Sequence, residues 1–348
     1  MPEITEAEFK KQIEKSDYSN LYVLYGEEKY LVGSYAKKLI SKAAGNTFSD
    51  FNLQRFDDSA SIDGIAAAVE ALPFMAERKC VAVSDLNVEG LRAQEISKLD
   101  ELISNIPETT VLILYLPTTV IDYKKDKKWK KFLTSANQFG CTLQLKKRSN
   151  SDLEKLLCTS ATKRDCVLSR VNAARIIGYC GSDMQTLMNE LEKLCSFTQG
   201  EITAQVIDQI VVKNLETRVY DLSKAIIAGE YDKAYGVLDL LFYQNEEPVS
   251  ILAVLSSAYI DMYRVRTSVQ SGCQVMEPAK HFDYARKEFC LTNAERDSRK
   301  LTSSMLRQSL GVLLKADTAL KSARGDRRIT MEKLIAQLLI IAQGERSA

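Results

Sequence analysis

The spacing of apolar residues divides the chain into a first part that alternates between strand and helix and a remainder that is helical throughout. Short apolar runs bounded by turn residues predict strands at 21–26 (LYVLYG), 51–56 (FNLQRF), 80–85 (CVAVSD), 110–116 (TVLILYL) and 141–146 (CTLQLK). Between them, helical spacing occupies about 28–43, 61–71, 94–104 and 126–137. Alternation of this kind builds a parallel sheet flanked by helices. The runs at 80–85 and 110–116 are almost continuously apolar, as strands covered on both faces are.

At Arg148 the pattern changes. SNSDLEKLL offers Ser151 with Glu154 three residues later, a capping-box spacing that opens a helix, and no strand pattern recurs after it. In GSDMQTLMNELEKLC, Met184, Leu187, Met188, Leu191 and Cys195 share one helical face, with Ser182 and Gln185 placed to cap its start. The last helix, ITMEKLIAQLLIIAQ, carries Met331, Leu334, Ile335, Leu338, Leu339 and Ala342 on a wide stripe. A stripe that broad is deep core or a subunit contact, core being the commoner case. The pattern therefore predicts an α/β domain at 1–147, a small helical domain at 148–212 and a larger helical domain at 213–348.

One stretch does not fit this order. In ALPFMAERKC (71–80), Leu72, Pro73, Phe74 and Met75 stand between a helix and a strand. Proline ends a helix, so these apolar side chains fall in a turn, where polar residues are the rule. They are a piece of core or a surface that a partner buries.

Composition narrows the function. The 348 residues exceed one ordinary core, and the net charge of +1 gives no global attraction for nucleic acid. The apolar runs fall short of a membrane span, and the acidic, polar N-terminus lacks a secretory pattern, so a cytoplasmic protein without membrane association is expected. Eight cysteines without CxxC spacing, beside a single histidine, read as buried free thiols and not as a metal site. His281, among helical residues and with no Ser or Cys motif pointing to it, leaves Ser–His and Cys–His chemistry without its base.

A sheet whose first strand ends in glycine invites a nucleotide-binding reading. A phosphate loop needs G-x-x-x-x-G-K-[ST], so that backbone amides cradle phosphate and the lysine reaches it. In YGEEKYLVGSYAKKL, Gly26 is followed by Glu27 and Glu28, and Gly33 by Ser34 and Tyr35. The acidic residue that should hold magnesium after VLILYL (111–116) is replaced by Pro117, Thr118 and Thr119. The loop around Gly26 is a degenerate P-loop, and neither a cofactor nor a metal is expected. The one dense basic run, KKDKKWKK, is in its simplest reading a solvated helix face. The alternative is contact with DNA, in which Lys124, Lys125, Lys127 and Lys128 neutralise phosphate while Trp129 stacks.

LYVLYGEEKYLV, LPFMAERKCVAV, GSDMQTLMNELEKL, VYDLSKAIIAGEYDKAYGVLDLLFYQNEEPVSILAVL and ADTALKSARGDRRITMEKLIAQL occur in an order that resembles the delta subunit of the bacterial DNA polymerase III clamp loader. The resemblance runs from about Leu21 to the C-terminus. It implies an AAA+-like first domain without ATPase activity, a helical lid and a helical collar, within the DNA polymerase III holoenzyme. It also implies that the first domain binds the beta sliding clamp and opens or holds open its ring. The collar would assemble with the tau/gamma ATPase subunits and delta-prime, around primer–template DNA. The family's clamp-binding pair, at the end of a first-domain helix, maps onto Leu72, Phe74 and Met75. The rival readings are a helical scaffold with a vestigial α/β domain and an active AAA+ ATPase.

Overall fold

The computed structural model describes residues 3–45, 49–121, 125–198, 200–284, 288–322 and 325–344. The chain divides into two compact units, Met1–Leu156 and Leu157–Ala348.

The first unit runs α1 (Glu6–Lys15), β1 (Leu21–Gly26), α2 (Lys29–Ala43), α3 (Ser49–Asn52), β2 (Leu53–Phe56), α4 (Ile62–Glu70), β3 (Lys79–Ser84), α5 (Ala93–Ser104), β4 (Thr110–Tyr115), α6 (Lys127–Phe139) and β5 (Cys141–Leu145). The five strands form one sheet in the order β2-β3-β4-β1-β5, and every pair is parallel. The registers Leu21 with Leu112, Val81 with Leu112 and Leu53 with Cys80 place β4 and β1 at the centre and β2 at an edge. β1, β3 and β4 are buried over their first five residues, as continuous apolar runs require when helices cover both faces. One face packs Val23, Val81, Val83 and Leu114 against Ile65, Val69, Leu99, Ile103, Phe132 and Leu133 from α4, α5 and α6.

The strand expected at 51–56 is shorter. Residues 49–52 form the helical turn α3, and only Leu53–Phe56 pairs with β3. Phe51 is largely exposed and Asn52 is enclosed.

Gly26 closes β1 with φ +141, a conformation that L side chains rarely adopt. A Cβ there would stand 2.1 Å from the Leu145 carbonyl oxygen on β5. The glycine thus serves the contact between neighbouring strands. Gly26→Ala is expected to lower stability by about 2 kcal/mol or more, read as an earlier urea midpoint, because backbone would have to yield.

α7 (Asn150–Thr162) spans the division between the units. Its start is two residues earlier than the expected cap at Ser151: the Ser149 hydroxyl accepts from the Asp152 amide at 3.2 Å and donates to the Asp152 carboxylate at 2.6 Å.

The second unit continues with α8 (Arg170–Cys180), α9 (Met184–Phe197), α10 (Ala204–Ile210), α11 (Leu215–Ala228), α12 (Tyr231–Tyr243), α13 (Pro248–Gln270), α14 (Glu288–Asp297), α15 (Ser303–Lys321) and α16 (Arg327–Gln343). The cap of α9 is Asp183, not Ser182, because its carboxylate accepts from both the amide and the hydroxyl of Thr186 at 2.8 and 2.7 Å. All six stripe residues of α16, from Met331 to Ala342, are buried in one core with Leu222, Ile226, Leu238, Leu255, Leu306 and Leu313. The wide stripe is core.

Among the cysteines, Cys80, Cys141, Cys166 and Cys180 are buried, Cys158, Cys195 and Cys290 are half-buried, and Cys273 is exposed. Burial pushes the Cys80 and Cys180 thiols up to about 12, so they stay protonated and inert at neutral pH. No helix among the described residues is long and apolar enough to cross a membrane.

Candidate functional site

In an open α/β sheet the usual ligand crevice lies at the carboxyl ends of the strands. Here the chain's own backbone is tied into that region. The Lys29 ammonium donates to the carbonyls of Leu116 (3.2 Å) and Thr119, in the segment that follows β4. Asp85, after β3, accepts from the amides of Thr118 and Thr119 at 3.1 and 2.8 Å. Burial lowers the Lys29 pKa, with the Asp85 charge opposing. Burial pushes Asp85 up, but the amide hydrogen bonds of Thr119 and Thr118 outweigh it and hold the carboxyl below its ordinary range. Glu28, inside the former loop, is itself buried, and its amide donates to Leu145 at 3.0 Å. A lysine and a carboxylate that a nucleotide site would aim at phosphate and magnesium are spent on fixing residues 116–119.

The apolar turn lies at the opposite end of the sheet, where β2 and β3 begin. Its base is built by closing the end of α4. Ser61 caps the start of that helix, and Ala71 ends it in an extended conformation (φ −57, ψ 143) just ahead of Leu72 and Pro73. Helix carbonyls are left without partners at this end. The Lys79 ammonium donates to the Ala68 carbonyl and the Thr110 hydroxyl to that of Val69 at 3.0 Å, so two buried side chains from β3 and β4 anchor the helix terminus. A cation here also complements the helix dipole. Burial lowers the Lys79 pKa.

From this base the turn projects its apolar side chains outward. Leu72 is 86% exposed, Phe74 48% and Met75 75%. Met75 holds a left-handed φ of +47, a strained choice for an L side chain and one that surrounding structure must enforce. The enforcement comes from α3. The Phe74 amide donates to Asn52 Oδ1 at 2.7 Å, and Asn52 Nδ2 donates to the Phe74 carbonyl at 2.9 Å. Asn52 is 1% exposed, so these bonds form away from water. Its neighbour Phe51, 66% exposed, places its ring 5.1 Å from the Phe74 ring, tilted by 39°. The structure therefore brings Leu72, Phe74 and Met75 to one exposed turn and adds Phe51 and Asn52, which the sequence pattern had assigned to a strand.

The basic run behaves differently. Lys124 lies outside the described residues. Lys125, Lys127 and Lys128 are exposed, and the Lys128 ammonium donates to the carbonyls of Glu89 and Leu91 at 2.6 and 2.8 Å. Trp129 corrects the stacking expectation: it is 3% exposed, packed edge-on against Phe132 at 5.8 Å in the core of the first unit. The lysines line the outer face of α6 while helical spacing turns Trp129, Phe132, Leu133 and Ala136 inward. A base has no access to this indole.

Comparison with known proteins finds matches in both parts of the chain. Residues 22–142 match the family model for the DNA polymerase III delta subunit, and residues 216–338 match the model for the C-terminal domain of that subunit. The DNA polymerase III subunit delta of Bacillus subtilis (strain 168) is 23% identical over 338 residues, covering 94% of this chain and 95% of that protein. A probable DNA polymerase III subunit delta of Aquifex aeolicus (strain VF5) is 21% identical over 266 residues, 74% of each chain. Among solved structures, the Bacillus subtilis DNA clamp loader delta protein matches with a TM-score of 0.59 at 23% identity, over 96% of this chain and 99% of that one. That likeness supports the α/β-plus-helical fold over the full length. With both of its regions matched in order, over more than half of the sequence, the chain belongs to the family of DNA polymerase III delta subunits, the delta subunits of the clamp loader.

Proposed function

We propose that this chain binds the beta sliding clamp through Leu72, Phe74 and Met75 and opens, or holds open, its ring for loading onto primed DNA. The observation that carries the reading is the exposed apolar turn, pinned to the sheet on one side and to α3 on the other. Three large apolar side chains held in water at one turn are a docking surface in want of a partner. A degenerate P-loop region whose lysine and carboxylate fix the chain's own backbone leaves contact, and not ATP hydrolysis, as this subunit's means of action. The energy of docking favours the open ring by the difference between its affinities for the open and closed forms.

In this reading residues 1–147 are the AAA+-like clamp-binding domain, 148–212 the lid and 213–348 the collar. The collar assembles with the tau/gamma ATPase subunits and delta-prime around primer–template DNA.

The test uses the purified full-length chain and the beta clamp of the same organism, with a fluorophore pair across one clamp interface. A stable complex and a separated fluorophore pair are expected without nucleotide. A clamp that neither co-elutes with the chain nor changes its interface signal would overturn the assignment.

A further inference from the structure

We infer that α3 is part of the docking element: Asn52 is the positioning residue that holds Phe74 ready to bind, and Phe51 is a further anchor that enters the partner beside it. The inference rests on the clamp-binding reading of the turn and adds two residues to it that come from a different part of the chain.

The case for Asn52 is its pairing. A buried amide side chain usually satisfies groups that are themselves buried. Here both functional ends of Asn52 are committed to the two backbone groups of one residue, Phe74, twenty-two positions later in the sequence. The pair of bonds copies a strand–strand exchange and fixes the peptide groups on each side of the Phe74 ring. The next residue, Met75, takes a left-handed φ that free chain would rarely sample. A surface turn without such a clasp would spread over many conformations, and a partner would have to select the right one at a cost in affinity. Asn52 removes most of that cost in advance.

Phe51 is carried by the same helical turn. Its ring contacts the Phe74 ring yet remains exposed, so the two form an aromatic pair that stands out from the surface and does not sink into the core. Aromatic side chains at the centre of an interface carry a disproportionate share of its energy. With Leu72 and Met75 the pair makes one apolar platform, supplied by two loops that meet where β2 and β3 begin. An apolar pocket on the clamp that accepts Phe74 would then be bordered by a surface that accepts Phe51.

The test is a binding series with the full-length chain and the purified clamp, alongside amide hydrogen exchange of the free chain. Asn52→Ala is expected to weaken binding about ten-fold and to speed exchange at Phe74 and Met75. Asn52→Ala/Phe74→Ala should lose clearly less than the sum of the two single losses, because the main anchor that Asn52 positions is then absent. Phe51→Ala should weaken binding about ten-fold, and Phe51→Leu less. Should Asn52→Ala fail to fold, Asn52→Asp serves in its place. It retains an acceptor for the Phe74 amide but sets a carboxylate oxygen against the Phe74 carbonyl, and it should lower affinity with the Phe74 amide still protected. Losses that add in full in the Asn52/Phe74 pair would overturn the positioning role. Wild-type affinity in both Asn52→Ala and Phe51→Ala, with Phe74→Ala weakened, would overturn the inference while leaving the clamp-binding reading in place. Wild-type affinity in Phe74→Ala would defeat that reading itself, and this inference with it.

Discussion

Phe74→Ala is expected to reduce affinity for the beta clamp by about 30-fold or more, the equivalent of roughly 2 kcal/mol for the loss of an aromatic anchor. The substitution removes a ring that is half exposed in the free chain, so little core is disturbed. The backbone bonds to Asn52 are independent of the ring and survive it. The melting temperature followed by circular dichroism should therefore move by no more than about 2–4 °C, since the lost contact is one exposed aromatic pair of at most about 1 kcal/mol. Binding measured by calorimetry carries the result. A variant with wild-type affinity and wild-type melting would show that the turn faces solvent for some other reason. Leu72→Ala is a weaker version of the same experiment, because an exposed leucine offers less area to bury than a phenylalanine.

Leu338→Ala should have the largest effect on folding, lowering the stability of the helical unit by about 2–5 kcal/mol. Leu338 lies in the middle of α16, 1% exposed, among core residues drawn from α11, α12, α13 and α15. An alanine leaves a void whose walls are themselves helices packed on other helices, so collapse into it is limited. Urea unfolding followed by circular dichroism should show an early loss of helix. A shift smaller than about 1 kcal/mol would mean that α16 tolerates a void that its burial does not permit. A chain of two compact units need not unfold in one step, so the comparison rests on the first part of the transition.

These two residues mark the extremes of what could be read before the fold was seen. The stripe on α16 was legible because a helix buried on most of its surface must be apolar on most of its surface, whatever its neighbours are. β3 and β4 were legible for the same kind of reason, being uninterrupted apolar runs of strand length. The apolar turn could be located, because Pro73 and the helix end before it exclude these residues from regular structure. Its support could not. FNLQRF has the composition of a strand, whereas 49–52 form a helical turn in which Asn52 bonds to residue 74, a contact remote in sequence. Trp129 departs from the expectation for a different reason. Its lysine neighbours dominate the sequence locally, whereas spacing to Phe132, Leu133 and Ala136 already placed it on an inward face. Ser149 and Asp183 show the usual uncertainty at helix starts, where several side chains compete for the same amides.

The burial of Trp129 has a practical consequence. It is the only tryptophan of the 348 residues, and it lies in the core of the α/β unit. Intrinsic fluorescence excited at the red edge of protein absorption therefore reports on that unit alone, with the helical remainder of the chain silent. The indole sits in apolar surroundings beside Phe132, so its emission is that of a shielded chromophore and shifts toward longer wavelength when water reaches it. Every substitution in the turn or in α3 can thus be checked for the integrity of the unit that carries it before any clamp is added.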